Sequence, residues 1–264
     1  MAHFAQDIKP GRGYSGTAHP VESFNGRQEF YHDARPDYPR ELIDWLEGET
    51  GAFAGKRVAD VGAGTGKLGR HLVHRGADVS FIEPGDDMRS LIHRDGLKAL
   101  KGSAESTGLP DGSVDLITAA QSFHFFEQAA TRREFDRILN PNGHVFLTWY
   151  AFATENPFMR DFDATLAKYT KETGNLIEPD FVKTQNLNCF FVSSGFKHWH
   201  EYITIPYSES RFLDLTHSFS YVPWSKHAAQ IDLEVREVFN CYRENDELPI
   251  RFAFNGFLAG GGER

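Results

Sequence analysis

A run of three closely spaced glycines constrains this chain more than any other feature. Gly62, Gly64 and Gly66 directly follow an apolar, strand-like run at residues 58–61, and a helical apolar pattern begins at Leu68. Glycine suits a tight turn here because such a turn uses backbone angles that a Cβ forbids. Without side chains, a ligand can also lie against the backbone and face the N–H groups of a helix start. The stretch therefore predicts a strand, a ligand-binding turn and a helix.

The spacing of the glycines discriminates among nucleotide-binding loops. A dinucleotide fingerprint, G-x-G-x-x-G, requires its third glycine where this chain has Lys67, and no G-x-x-x-x-G-K-[ST] phosphate loop is present. Residues 60–66 instead resemble motif I of class I S-adenosylmethionine-dependent methyltransferases. For the loop taken alone, a purely structural strand–turn–helix corner is the alternative. The resemblance implies a cofactor site that includes Asp60, Gly62, Ala63, Gly64 and Gly66.

A carboxylate ends the next apolar strand, predicted at residues 78–82. Glu83 lies about 20 residues past the glycines, where a carboxylate can accept hydrogen bonds from both hydroxyls of a ribose. The pair Glu83-Pro84 resembles motif II of the same methyltransferases, and the implied cofactor site extends to Met88. The alternative role for Glu83 is to cap the helix that follows, and the two roles are compatible.

Two further motifs extend the resemblance to about residue 149. Gly102-Ser-Ala-Glu105 resembles the third motif of the family, which contacts the adenine edge. Ala120-Gln-Ser-Phe-His-Phe125 follows a predicted buried strand and resembles the fourth motif of the trans-aconitate methyltransferase-like branch. These motifs add to the implied cofactor site Ser103, Ala104, Glu105, Ala120, Gln121 and Ser122.

His124 is the candidate catalytic residue, because it follows a predicted strand at the edge where open α/β sheets place their ligands. A neutral imidazole there can take a proton from a hydroxyl or amine acceptor, whereas a carboxylate acceptor needs only positioning. A structural histidine beside the adenine is the alternative. His198 and His200 flank Trp199 on another predicted strand, and no metal site is expected because too few ligands converge.

A stiff N-terminal segment is expected to cover the cofactor site. The pattern Tyr31-x-x-x-Arg35-Pro-x-Tyr38-Pro resembles a signature that many small-molecule methyltransferases place over the pocket. This resemblance implies that Tyr31 and Arg35 contact the cofactor, with the Arg35 guanidinium holding the carboxylate of its amino-acid end. The alternative is a surface strap whose tyrosines only pack on the core. Residues 1–24, which are rich in glycine and polar residues, are predicted to form a mobile arm.

Alternating strand-like and helix-like segments predict an α/β fold. We expect a Rossmann-like, doubly wound sheet that is mostly parallel, with helices on both faces and right-handed crossovers. The resemblance adds an antiparallel last strand, and a helical insertion is predicted after strand five. Residues 25–264 are expected to form a single methyltransferase domain, with a cofactor-binding core at about 40–150 and substrate-covering insertions at about 151–195 and 206–245.

Local patterns predict several element boundaries. A short strand is predicted at residues 97–100, a helix at 127–139, and a turn at Asn140-Pro-Asn-Gly143. Further helical structure is predicted at residues 155–173 and in the segment that follows, to residue 194. The pattern of residues 197–205 alternates as a strand does. Residues 228–242 carry a helical stripe of apolar side chains, and the last strand is predicted near residues 248–255.

Charge and composition restrict the partners. The net charge of -9 argues against a nucleic acid, because phosphate binding requires a basic face. Cys189 and Cys241 have no metal-type spacing and do not suggest a disulfide framework. Neither a signal peptide nor an apolar run long enough for a bilayer is found, so a cytoplasmic protein without a membrane partner is expected.

The motifs together predict an S-adenosylmethionine-dependent methyltransferase that acts on a small molecule and releases S-adenosylhomocysteine. A carboxylate or hydroxyl acceptor is slightly favoured over other acceptors. One alternative is a non-catalytic protein that uses the same fold to bind a ligand or a partner, and another is a nicotinamide-dependent oxidoreductase. The sequence does not specify the acceptor, the methylated atom or the oligomeric state.

Overall fold

Seven strands run through the part of the chain that the structure describes. This computed structural model covers residues 33–153, 156–169, 187–191, 195–219 and 224–260. The predicted arm at residues 1–24 and the cofactor candidate Tyr31 lie outside the described residues. The strands are β1 (Arg57–Val61), β2 (Asp78–Ile82), β3 (Ala99–Leu100), β4 (Val114–Ala120), β5 (Leu139–Phe152), β6 (Lys197–Tyr207) and β7 (Leu248–Gly260).

The strands form one sheet in the order β3-β2-β1-β4-β5-β7-β6. The pairs of β1 with β2 and β4, of β2 with β3, and of β4 with β5 are all parallel. Strand β7 is antiparallel to both β5 and β6. The prediction of a mostly parallel, doubly wound sheet with an antiparallel last strand is therefore confirmed. In this order, β1 and β4 lie at the centre of the sheet, where the chain reverses its direction of winding.

Helices cover both faces of the sheet. They are α1 (Arg40–Thr50), α2 (Lys67–His74), α3 (Asp86–Arg94), α4 (Gln128–Ile138), α5 (Pro157–Ala167), α6 (Leu187–Phe190), α7 (Glu209–His217) and α8 (Trp224–Tyr242). The alternation of side chains along β5 separates two hydrophobic clusters: Phe146 packs in one and Leu147 in the other. Both side chains are fully buried, so neither face of the central sheet is open to solvent there.

The predicted turn at residues 140–143 is a bulge inside β5. Pairing with β4 jumps from Val114 opposite Leu139 to Leu116 opposite His144, which leaves four residues of β5 without a pairing partner on β4. The asparagine side chain at position 140 accepts a hydrogen bond of 2.9 Å from the backbone N–H of residue 142. The turn at these residues was therefore predicted correctly. Strand β5 nevertheless continues through the turn, because β5 pairs with β4 both before and after the bulge.

Other boundaries differ by a few residues. Helix α4 begins one residue later than predicted, because the Glu127 carboxylate caps it by accepting bonds from the N–H groups of Ala129 and Ala130. Strand β3 contains only two residues. Part of the helix predicted at residues 155–173 is α5, which Asn156 caps, and the rest beyond residue 169 lies outside the described residues. Of the helical segment predicted to reach residue 194, the described part contains α6.

The last helix packs through the stripe of apolar residues expected from the sequence. Ile231, Val235, Val238 and Phe239 of α8 are buried, whereas Ala228 at the start of the stripe is exposed.

Over the residues described, none of the helices combines the length and the apolar character that crossing a membrane requires.

Candidate functional site

The glycine loop connects β1 to α2 in a left-handed conformation. Gly62, Gly64 and Gly66 have φ angles of 65°, 56° and 78°. A Cβ on Gly62 would lie 2.6 Å from the Cβ of Ser122, so the loop is pressed against the end of β4. At Gly64 a Cβ would meet no atom within 4 Å, so this part of the loop faces open space. The predicted turn is thus present, with open space beside Gly64 at its centre.

A cavity of about 610 Å³ opens beside this loop. It lies at the carboxyl ends of β1, β2 and β4, where doubly wound sheets bind their ligands. Most of the residues predicted to bind the cofactor line it: Gly62, Ala63, Gly64, Glu83, Pro84, Met88, Ser103, Ala104, Glu105, Ala120, Gln121 and Ser122.

The Glu83 carboxylate connects the glycine loop to the end of β2. One oxygen accepts a hydrogen bond of 2.8 Å from the Gly64 N–H, and the other accepts one of 2.8 Å from the Gly85 N–H. Burial raises the pKa of Glu83, while the two backbone bonds favour its charged form. Each carboxylate oxygen can accept a second hydrogen bond, so Glu83 can hold the loop and still bind hydroxyl groups in the cavity.

Two of the predicted cofactor ligands serve the structure beneath the loop instead. Asp60 is buried and is not part of the cavity wall, because its carboxylate accepts bonds from the Gly69 N–H at 3.2 Å and the Thr118 hydroxyl at 2.8 Å. Loss of hydration raises the pKa of Asp60 to about 6. Gly66 also lies outside the wall, since its Cβ would point at Phe81, 3.1 Å away. Asp60 shapes the loop through its hydrogen bonds and Gly66 through close packing, and neither residue lines the cavity.

The end of β4 supplies the opposite wall of the cavity. Gln121 has a φ of 55°, a left-handed conformation that costs a non-glycine residue about 1–3 kcal/mol. Its side-chain amide donates a bond of 2.8 Å to the carbonyl of Tyr150, and the Ser122 hydroxyl donates one of 3.1 Å to the carbonyl of Val61. These bonds fix the turn after β4 against both neighbouring strands, and such strained turns are concentrated at functional sites.

His124 lies beside the cavity rather than in its wall. It occupies a short 3₁₀ helix, Phe123–Phe125, and its ring centroid is 4.0 Å from that of Phe125, which does line the cavity. Loss of hydration among the surrounding protein atoms, and then the positive charge of Arg35, lower the pKa of His124 to about 4. The residue is nevertheless exposed to solvent, so its hydration is only partly lost. The imidazole is neutral at pH 7, and its catalytic role stays a prediction.

The strap of residues 33–39 is anchored by side chains from distant parts of the chain. The Tyr207 hydroxyl donates a bond of 2.8 Å to the carbonyl of Ala34, and the Lys67 ammonium donates one of 2.9 Å to the carbonyl of Arg35. The Arg35 guanidinium bonds to Ser218, with 2.7 Å from Nε to the hydroxyl, and lies over the ring of Phe219. Arg35 is not part of the cavity wall, which differs from its predicted contact with the cofactor. Its bonds to Ser218, at the end of α7, account for the difference.

Several residues of the cavity wall were not among the predicted cofactor ligands. In the sequence, Lys67 is distinguished only by breaking the dinucleotide fingerprint, Tyr150 is one of many aromatic residues, and Glu127 marks the start of a predicted helix. Their positions in the wall follow from the sheet order, which has no local sequence signal. The wall residues outside the predicted cofactor set are Tyr38, Thr65, Lys67, Leu68, Phe125, Phe126, Glu127 and Tyr150.

A hydrogen bond in the cavity wall joins the third motif to the start of α4. The carboxylate of Glu105 accepts a bond of 2.9 Å from the backbone N–H of Glu127. Glu134, on α4, accepts bonds from the Thr107 N–H at 2.8 Å and the Thr107 hydroxyl at 2.6 Å.

Within the described ranges, no group of three or more His, Cys, Asp or Glu side chains is placed to hold a metal ion.

Comparison with known proteins agrees with this arrangement. A family model described as a methyltransferase domain matches residues 59–147, which run from β1 into β5 and contain the glycine loop, Glu83 and the end of β4. Residues 59–147 of this chain therefore match a methyltransferase domain. The resemblance found in the glycine loop is thereby confirmed for this part of the chain, while the trans-aconitate-like branch stays a prediction.

Relatives of the methyltransferase domain occur in bacteria and in yeast. An uncharacterized methyltransferase of Mycobacterium tuberculosis is 42% identical over 130 residues, which are 48% of this chain and 51% of that protein. An uncharacterized methyltransferase-like protein of Schizosaccharomyces pombe is 28% identical over 199 residues, 73% of this chain and 75% of that protein. The chain thus spans about half the length of the mycobacterial relative that it matches.

A solved structure shares the fold over most of this chain. It belongs to a protein from Anaeromyxobacter dehalogenans that is named for a type II methyltransferase, and it superposes with a TM-score of 0.61. The alignment covers 86% of this chain and 97% of that one at 22% identity. The likeness in fold therefore extends well beyond the segment matched by the family model.

Proposed function

We propose that this chain is an S-adenosylmethionine-dependent methyltransferase that acts on a small molecule. The observation that carries the proposal is the pairing of Glu83 with Gly64 at the carboxyl ends of two adjacent parallel strands, in the wall of one cavity. A carboxylate next to an exposed glycine backbone suits a ribose that lies against the loop. The family match over residues 59–147 supports the same conclusion.

The residues of the cavity fit this cofactor. A side chain at position 64 would enter open space beside the loop, so the glycine leaves room for a ligand on the backbone. Glu83 would bind the ribose hydroxyls, and the segment from Ser103 to Glu105 would face the adenine edge. Met88 and Ala104 add apolar surface to the wall, as a flat purine ring requires. S-adenosylmethionine supplies a methyl group already activated on a sulfonium.

The protein's own task is to orient the acceptor and to exclude water. Correct orientation of two reactants can lower a barrier by about 7–11 kcal/mol, and no covalent enzyme nucleophile is required. Tyr38, Phe125 and Tyr150 line the cavity and provide apolar surface that excludes water. The neutral imidazole of His124 adjoins Phe125 and can accept the proton of a hydroxyl acceptor at this edge.

An oxygen acceptor, either a carboxylate or a hydroxyl, is the form of the proposal that we favour. Both need little help from the enzyme beyond positioning and, for a hydroxyl, removal of one proton. A nucleic-acid acceptor is disfavoured because the chain has a net charge of -9 and the described cavity wall contains three glutamates, Glu83, Glu105 and Glu127.

Calorimetry on the purified chain tests the proposal directly. S-adenosylmethionine and S-adenosylhomocysteine are expected to bind, whereas NADH is not. Incubation with methyl-labelled cofactor and a fractionated small-molecule extract should then transfer label to an acceptor that mass spectrometry can identify. Tighter binding of NADH would assign the fold to a nicotinamide enzyme, and cofactor binding without any transfer of label would favour the non-catalytic binding protein.

A further inference from the structure

The described wall of the cavity contains a single basic side chain, Lys67. This residue begins α2 immediately after the glycine loop, and the charged residues that share the wall with it are Glu83, Glu105 and Glu127. An anionic group on a ligand in this cavity would therefore meet three like charges and one opposite charge. The position of Lys67 restricts where such a group can bind.

Three N–H groups of the loop backbone are already used within the protein. The N–H groups of Gly62 and Ala63 both donate to the carbonyl of Ile82, at 2.9 and 3.1 Å. The N–H of Gly64 donates to the Glu83 carboxylate at 2.8 Å. These donors are used within the protein, because the turn closes against the end of β2. A charged side chain can therefore supply the contact to an anion that these three groups do not.

Lys67 retains the capacity to bind a further group. Its ammonium carries three N–H donors, and among the described residues it donates one hydrogen bond, to the carbonyl of Arg35 at 2.9 Å. Burial lowers the pKa of Lys67 to about 8, opposed by the negative charge of Asp37. A partly desolvated ammonium gains most from a bound anion, since the anion replaces the hydration that burial removed.

We propose that the Lys67 ammonium binds the carboxylate at the amino-acid end of the cofactor. This role replaces the one predicted for Arg35, whose guanidinium bonds to Ser218. Lys67 would also connect cofactor binding to the strap, because the same ammonium holds the strap backbone at Arg35. The inference rests on the proposed function, since it assumes that the cavity binds S-adenosylmethionine and its homocysteine product.

A pair of ligands that differ by the carboxylate isolates this contact. S-adenosylmethionine and decarboxylated S-adenosylmethionine share the adenosine, the sulfonium and the amino group. Calorimetry should show that Lys67→Gln lowers the affinity for S-adenosylmethionine about 10- to 100-fold, as expected for loss of charge-assisted hydrogen bonds. The affinity for the decarboxylated ligand should change less than about threefold, because that ligand has no group for Lys67 to bind.

Two further variants keep the test decisive. Glutamine at position 67 removes the charge and keeps an N–H donor on a side chain that is one bond shorter, and Lys67→Arg should restore most of the affinity by restoring the charge. Lys197→Met, on the exposed β6 and away from the cavity, is the matched control for removing one lysine charge. Equal losses of affinity for both ligands would overturn the role of Lys67 while leaving the proposed function intact. Failure of the unmodified protein to bind either ligand would overturn both.

Discussion

The Glu83 carboxylate and the Gly64 backbone N–H are 2.8 Å apart, and this contact joins two adjacent strands where the cavity opens onto the loop. Glu83 also bonds to the Gly85 N–H, so one side chain fixes the glycine loop and the start of α3 together. The carboxylate expected to bind a ribose is therefore also the group that shapes the loop beneath it. Under the proposed function, ligand binding and the local structure of the loop are coupled through this residue.

Replacing Glu83 should weaken cofactor binding. Glu83→Ala is expected to lower the affinity for S-adenosylhomocysteine about 10- to 100-fold, because charge-assisted bonds to the ligand are lost and the loop loses its anchor. Glu83→Gln should lose less, since the amide keeps one acceptor oxygen. Calorimetry measures both, with Glu201→Gln on the exposed β6 as the control. Unchanged affinity in Glu83→Ala would refute the ribose role.

Two glycines of the loop should respond differently to alanine. Gly62→Ala places a Cβ 2.6 Å from Ser122, so we expect a loss of about 2–4 kcal/mol in unfolding free energy. Gly64→Ala meets no protein atom and should cost only about 1–2 kcal/mol of left-handed strain, but should block the cofactor.

Gly96→Ala is the matched control for Gly64→Ala. Gly96 has a φ of 74°, a Cβ added to it would meet no atom within 4 Å, and it lies outside the cavity wall. Chemical denaturation and calorimetry on the three variants separate backbone strain from ligand exclusion. Normal cofactor binding by Gly64→Ala would show that the ligand does not lie against this part of the loop.

His124 should act as a neutral group across the physiological range. If it is the general base, His124→Ala should lower turnover about 10²- to 10⁴-fold and leave cofactor affinity nearly unchanged. Protonation removes the base only below its pKa, which loss of hydration and the charge of Arg35 lower, so a decline in turnover caused by this residue should lie below the ordinary histidine value of about 6.5. A pH–rate profile with a decline near the ordinary histidine pKa of about 6.5 would contradict this expectation.

Glu134 should stabilise the protein in a pH-dependent way. The bonds from Arg137, then those from Thr107, lower the pKa of Glu134 to about 2. A lowered pKa in the folded state adds stability above the unfolded value of about 4.5, and this stability is lost as the pH falls toward 2. Glu134→Gln should therefore cost about 1–3 kcal/mol at pH 7 and progressively less in acid. Urea denaturation at about pH 7 and pH 3 measures the difference, and a constant cost would contradict the assignment.

The sequence by itself determined the elements whose physical causes are local. The glycine loop follows from backbone angles that only glycine adopts freely, and the position of Glu83 follows from the end of an apolar strand. Both lie within a segment that the family model matches and both line the cavity. The alternation of strands and helices likewise predicted the doubly wound sheet, because side-chain periodicity acts over a few residues.

Only the tertiary structure decided which side chains reach the cavity. Arg35 contacts Ser218, 183 residues away, and so turns from the site that its motif implied. Asp60 is held beneath the loop because Thr118, on the neighbouring strand, donates a hydrogen bond to its carboxylate. Lys67 lies in the wall and reaches the strap, because its ammonium donates to the Arg35 carbonyl. Such contacts depend on how distant segments pack, and no local pattern of residues specifies that packing.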